Sequence, residues 1–208
     1  MFINTFDSAE FKRIIKAVAL GTQPDSKGGY NRHPYAIQFT YRDNGGIQLA
    51  ATDNYRIALL RNEAWSDEYE EQEKVTVMLP RLLKFVNMIR VSKKHTSLVR
   101  LTHVDGAVSL EWDGIRMDME VTDRELPDTS IIFTRDYSDI QDAPMVKYNP
   151  LYLADAGKAC SFMAVGGYNG NAMEVTTHGH SKPTFFTPQY PMSGYTFQYA
   201  LMPIRFAS

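Results

Sequence analysis

Across residues 47–61, IQLAATDNYRIALLR, apolar and polar positions alternate on both sides of a polar kink. Ile47, Leu49 and Ala51 keep a period of two before the kink, and Ile57, Leu59 and Arg61 resume it afterwards. The pattern predicts two strands meeting at an Asp53-Asn54 turn. Thr52, Tyr55 and Arg56 beside that turn have two readings: hairpin chemistry alone, or side chains with polar ends lining a docking groove on the rim of a sheet.

A strand, a helix and three strands recur about every 65 residues, the kind of self-similarity that marks repeated units. In the first unit residues 1–4 read as a strand. Asp7 and Glu10 form a capping signal, and Phe11, Ile14, Ile15 and Val18 at helical spacing carry a helix to Leu20. Lys12, Arg13 and Lys16 occupy its other side. A long loop over 21–34 precedes strands at 35–42, 46–51 and 55–61, the first two joined by an Asp-Asn-Gly-Gly turn. The second unit has a strand at 74–79 and Pro80 at a helix start. Its helix buries Leu82, Leu83, Phe85, Val86 and Ile89 and carries Arg81, Lys84 and Arg90 opposite, with Lys93 and Lys94 beyond. Strands at 97–103, 107–112 and 115–122 are separated by Asp105-Gly106 and Asp113-Gly114. The Leu126-Pro127-Asp128 stretch ends the ladder, because proline cannot donate to it.

Residues 134–144 are polar and turn-prone and read as a linker. The third unit opens at 145–148, with Asn149 as N-cap and Pro150 at the first helical position. Lys158 is the one cation inside that helix. Strands at 172–177, 184–187 and 195–202 follow. The organisation is therefore α+β in repeated β-α-β-β-β units: a complete two-unit domain over 1–133, a linker over 134–144, and a half domain with a C-terminal tail over 145–208. An odd unit count is expected to leave the third unit without its usual intrachain partner, exposing an edge and an apolar face.

Composition narrows the function classes. With 208 residues, 44% hydrophobic and 22% charged, the chain is ordinary globular material. No apolar run approaches the roughly 18 residues a membrane span needs, and the first residues do not read as a signal peptide, so a cytoplasmic protein is expected. Cys160 stands alone, and His33, His95, His103, His178 and His180 are scattered, so no metal or other cofactor is expected. His178 and His180 read as part of an exposed turn. The acidic run at 65–73 reads as a solvated connector that would repel nucleic acid. Asp105, Glu111, Asp113, Asp118 and Glu120 form a carboxylate-rich set of the kind a metal-dependent nuclease uses. Their turn and outward strand positions account for them, and no nucleophile motif or phosphate loop accompanies them.

Several segments resemble the bacterial DNA polymerase III beta subunit, the sliding clamp family. Residues 51–58, ATDNYRIA, are similar to the family's A-T-D-G-H-R-L-A segment, with Asn54 and Tyr55 in place of Gly-His. Met202-Pro203-Ile204-Arg205-Phe206 resembles the terminal M-P-M-R-L, Leu126-Pro127-Asp128 matches F-P-D-Y, and residues 75–90 are similar to the V-P-R helix entry. In family order these cover both halves of the middle domain, a linker, and the second half of the third domain, a shortened version of the family plan.

The resemblance implies the sliding-clamp (DNA clamp) fold, with helices on one face of antiparallel sheets and lining a hole around duplex DNA. It implies a processivity factor in DNA replication, not an enzyme. Lys12, Arg13, Lys16, Arg81, Lys84 and Arg90, opposite the apolar stripes, would be DNA-binding, touching phosphates without reading bases. Thr52, Asn54, Tyr55, Arg56, Ile57, Pro127, Met202, Pro203, Ile204 and Arg205 would form the protein-docking cleft for polymerase and clamp-loader peptide motifs. The family's ring closes with twelve units, so three-unit chains would close as a homo-oligomer of four. Two alternatives stand beside the clamp: a mimic that binds replication proteins without encircling DNA, and the nuclease.

Overall fold

The strand β1 (Phe2–Asp7) runs straight into helix α1 (Ser8–Ala19), because Asp7 is both the last strand residue and the helix N-cap. Its carboxylate accepts from the backbone N–H groups of Ala9 at 2.8 Å and Glu10 at 3.1 Å, two of the donors a helix start leaves open. The strand is therefore longer than the residues 1–4 predicted for it. The computed structural model describes residues 1–24, 33–66, 73–91, 96–136, 146–166, 172–178 and 182–204.

After α1 come β2 (Ala36–Tyr41), β3 (Ile47–Thr52) and β4 (Arg56–Asn62), completing one β-α-β-β-β unit. The second unit comprises β5 (Glu73–Met78), α2 (Leu79–Met88), β6 (Leu98–Val104), β7 (Ala107–Trp112) and β8 (Ile115–Asp118). Asp105 and Asp113 have φ of 49°, and the glycines after them 78° and 74°. Both turns thus place two residues in the left-handed region, the conformation the two Asp-Gly pairs foretell and the one that matches strand twist. The 115–122 strand is corrected by the structure: it breaks after Asp118 and resumes as β9 (Val121–Thr122) in a different sheet. Met119 N–H donates to Val108 O, while Glu120 O accepts from Met78 N–H across the other sheet, so one residue pair carries the crossing. A short helix α3 (Ser130–Thr134), absent from the sequence pattern, follows.

The third unit has α4 (Pro150–Met163), β10 (Met173–Thr176), β11 (Thr184–Pro188) and β12 (Tyr195–Leu201). Asn149 caps α4 by accepting from Leu151 N–H at 3.0 Å. The opening strand expected at 145–148 is not formed over the described residues 146–149. Lys147 O there accepts from Ile204 N–H, so this segment holds the C-terminal stretch and does not enter a sheet ladder.

Two antiparallel sheets result. One has the order β1-β6-β7-β8, the other β10-β11-β12-β4-β3-β2-β5-β9. The first strand of each of the first two units pairs outside its own unit: β1 lies on β6, and β5 on β2. This exchange interlocks the units around one core, in which Phe11, Ile14, Ile15 and Val18 of α1 meet Phe39, Leu49, Leu60, Leu82 and Phe85. The helix α1 packs on strands of both sheets, on α2 and on α4. Contrary to expectation, then, the third unit has intrachain partners: α4 on α1, and β12 on β4 over seven residue pairs from Tyr195↔Asn62 to Leu201↔Arg56. A three-helix row, α2-α1-α4, results. Gly21, just past α1, lets the chain there lie against the backbone of β3 and β4, since a Cβ would lie 2.6 Å from both Ala51 O and Ala58 N. No helix of the described residues is long and apolar enough to cross a membrane.

Candidate docking cleft and helix face

The β3–β4 turn is held by its own side chains. Thr52 Oγ1 donates to Arg56 O at 2.8 Å and accepts from Asn54 N–H at 3.3 Å. The Asp53 carboxylate accepts from the N–H groups of Tyr55 and Arg56 at 3.1 and 3.2 Å, and from Arg56 Nε at 2.8 Å. Asn54 takes φ of 75°, a region in which a short polar side chain is tolerated. These bonds leave Tyr55 at the tip, 53% exposed.

Arg56, placed in the cleft by the family resemblance, does not line it; the hairpin reading of this residue is the one its contacts fit. Only 3% exposed, it pairs with Asp53, with Asp155 of α4 and with Gln23 Oε1 at 3.1 Å, and its guanidinium lies 4.4 Å from the ring centroid of Tyr152. It thereby joins the hairpin, the stretch after α1 and the helix of the third unit at one point. Burial works to lower its pKa; Asp53, Tyr199 and the hydrogen bonds to Asp53 and Asp155 more than offset this, and the net shift is upward. Tyr199, whose own pKa burial raises, donates to Leu20 O at 3.0 Å beside it.

On the solvent side of this knot lies a cleft of about 480 Å³, lined by Asn54, Tyr55, Asn149, Tyr152, Met202, Pro203 and Ile204. The Tyr55 and Tyr152 rings face each other across 6.2 Å. The C-terminal stretch forms the remaining wall because Met202 N–H donates to Tyr55 O and Ile204 N–H to Lys147 O, both at 2.8 Å. Of the ten predicted cleft residues, Asn54, Tyr55, Met202, Pro203 and Ile204 line it, while Thr52, Arg56 and Ile57 are buried behind the turn. Pro127 is corrected by the structure: it lines a separate cavity on the outer face of the large sheet. Arg205 lies outside the described residues. Sequence reasoning missed Asn149 and Tyr152 as lining residues. The cap at Asn149 was legible, and Tyr152 sits within the first turn after it, but only the β12–β4 pairing brings that helix start to the turn.

The six predicted DNA-contacting cations divide into two groups. Lys12 and Arg13 are half-buried and engaged at the carboxyl ends of neighbouring helices: Lys12 Nζ donates to Ile89 O at 2.6 Å, and Arg13 to Phe162 O at 2.7 Å and to Ala164 O. Cations there complement the partial negative charge of a helix end. Burial and the neighbouring Lys16 lower the Lys12 pKa. Arg81, Lys84 and Arg90 are exposed and Lys16 half-buried, none with a hydrogen-bond or ion-pair partner among the described residues. Lys93 and Lys94 lie outside the described residues.

The carboxylates weighed for metal chemistry are spread along exposed strand and turn positions. Asp105 and Asp113 are turn residues, Glu111 stands opposite Arg100 and Arg116 on the flanking strands, and Asp118 pairs with Arg116 at 3.8 Å. Among the described residues no three His, Cys, Asp or Glu side chains gather into a metal-holding group. Burial pushes the Cys160 thiol up to about 12, far from the thiolate form that a nucleophile needs. His178 is half-buried, its ring edge-on to Phe185 at 5.4 Å, while His180 and the rest of the turn read there lie outside the described residues.

No protein-family model and no curated protein matches the chain. Solved structures do. The DNA polymerase sliding clamp of Bacillus subtilis superposes with a TM-score of 0.71 at 11% identity, over 99% of this chain and 64% of that one. The beta chain of DNA polymerase III from Streptococcus pneumoniae gives 0.70 at 13%, over 99% and 65%. The A. fulgidus PCNA, solved with the C-terminal region of FEN-1 bound, gives 0.61 at 12%, with 100% of both chains covered. The chain thus spans about two thirds of the length of the bacterial clamps it matches. The repeated units, the exchanged first strands and these superpositions together establish that the chain has the sliding-clamp fold, in a form shorter than the bacterial DNA polymerase III beta subunits.

Proposed function

We propose that the chain is a DNA sliding clamp, a replication processivity factor that encircles duplex DNA without sequence preference and docks the polymerase and clamp loader through short apolar peptide motifs. The observation that carries this reading is the cleft: on a clamp fold, the β3–β4 turn, the start of α4 and the C-terminal stretch converge on an aromatic, methionine-containing hollow. Such surfaces suit short apolar anchors, with tyrosine rings supplying area and methionine supplying adaptability. The proposed DNA contacts are Lys16, Arg81, Lys84 and Arg90. Lys12 and Arg13 add charge to the same helix row while holding its neighbours in place. Closure would be as a homo-oligomeric ring, a tetramer of three-unit chains, through β8 and β10, two of the four strands that end the sheets among the described residues.

The test is retention on DNA. A ring loaded on a nicked circular duplex stays with it through gel filtration and runs off the same duplex once linearised, and light scattering gives a tetramer mass. Equal loss from circular and linear DNA, or a monomer mass throughout, overturns encirclement and leaves a clamp mimic. A further expectation follows from counterion release. Reversing Lys16, Arg81, Lys84 and Arg90 to Glu lowers the slope of log K against log salt by about 3 to 4, because each phosphate contact contributes roughly 0.9. An unchanged slope shows these cations to be solvated surface.

A further inference from the structure

The Tyr152 ring forms one wall of the cleft, and it is held from behind. Arg56 lies against it at 4.4 Å from the ring centroid, and Gln23 Nε2 donates to its hydroxyl at 3.4 Å. Gln23 Oε1 at the same time accepts from Arg56 at 3.1 Å. One amide thus closes a triangle with the phenol and the guanidinium. Chemistry fixes its orientation: a guanidinium can only donate, so the amide oxygen faces Arg56 and the NH2 is left for Tyr152. Gln23 engages a further group as well, and it is not among the residues that line the cleft.

The backbone that carries Gln23 is pinned just before it. Gly21 lies against β3 and β4 and its N–H donates to Val18 O at 2.9 Å, Leu20 O accepts from the Tyr199 hydroxyl at 3.0 Å, and Thr22 is buried. The Gln23 side chain therefore starts from a fixed point after α1 and reaches the helix of the third unit. Across the cleft, 6.2 Å from Tyr152, stands the half-exposed Tyr55. Without Gln23 the phenol loses a donor, Arg56 loses an acceptor, and the Tyr152 ring gains freedom that docking must then remove. A wall already set in its bound orientation spares a ligand that ordering cost.

We propose that Gln23 is a positioning residue for docking: from outside the cleft it sets the Tyr152 ring, directly and through Arg56, as the wall that an apolar peptide anchor meets, a role that rests on the docking reading above. Gln23→Met keeps the length of the side chain and removes both hydrogen bonds. In the unliganded chain, with 13C-labelled tyrosine rings and the Tyr152 signal assigned by its loss in Tyr152→Phe, this variant is expected to move the Tyr152 resonances. Those of Tyr41, buried at the opposite end of the same strands, are expected to stay in place. A fluorescent peptide bearing a polymerase's apolar docking motif is expected to bind Gln23→Met about threefold to tenfold more weakly, the effect of an ordinary hydrogen bond. Tyr152→Phe keeps the ring and removes the hydroxyl, so combining it with Gln23→Met is expected to weaken binding by less than the product of the two single effects. Unchanged affinity in Gln23→Met, unmoved Tyr152 resonances, or single effects that multiply in full each overturn the role of Gln23. A wild-type chain that binds no such peptide overturns the docking reading itself, and the positioning role with it.

Discussion

Replacing Arg56 with alanine is expected to destabilise the fold by about 3–5 kcal/mol, the usual result of removing one partner from a buried ion pair. Asp53 is 1% exposed and would lose its guanidinium partner, retaining the two turn N–H groups as donors. Asp155, 32% exposed, can turn to water and contributes less. For a chain of this size each kcal/mol shifts Tm by roughly 2–4 °C, so a fall of about 6–20 °C should appear in thermal melts. Changing Arg56 to Met and Asp53 to Leu together should recover a large part of the loss, because no buried charge is then left without its partner. A loss below about 1 kcal/mol for Arg56→Ala would show the pair to be solvated. The knot also joins the third unit to the first, so the variant's unfolding should lose cooperativity between them.

Alanine at Tyr55 or Tyr152 is expected to weaken binding of a fluorescent peptide bearing a polymerase's apolar docking motif by about 30-fold or more, the consequence of losing roughly 2 kcal/mol from an aromatic anchor. Tyr55 is half exposed at the turn tip, so its removal should leave Tm nearly unchanged. Tyr152 also stacks on Arg56, and its alanine variant should show a lower Tm as well as weaker binding. Deleting residues 202–208 removes the wall built on the Met202–Tyr55 and Ile204–Lys147 hydrogen bonds and should abolish the interaction. Peptide affinity retained in all three variants would place the docking site elsewhere.

Local chemistry set much of this protein's form. Asp7, the two Asp-Gly turns, Pro80, and the Asn149-Pro150 pair are each read by the few residues around them, which is why most strands and three of the helices fall where the pattern put them. The Asp53-Asn54 kink is likewise a local event, and it leaves Tyr55 exposed beside the turn. What the sequence did not determine depends on partners far along the chain. The break of the 115–122 segment after Asp118 arises because β9 finds β5 in the other sheet, a choice no local period encodes. Residues 146–149 look like a strand, but their backbone is taken by the C-terminal stretch. Arg56 is a cleft residue by the family resemblance and becomes a buried tie because β12 pairs with β4 and α4 brings Asp155 to it. Lys12 and Arg13 read as a free basic face, and become caps because α1 lies between the ends of α2 and α4. Hydrophobic period and turn chemistry act over a few residues; which surfaces then meet is decided by long-range pairing, and with it the composition of the cleft.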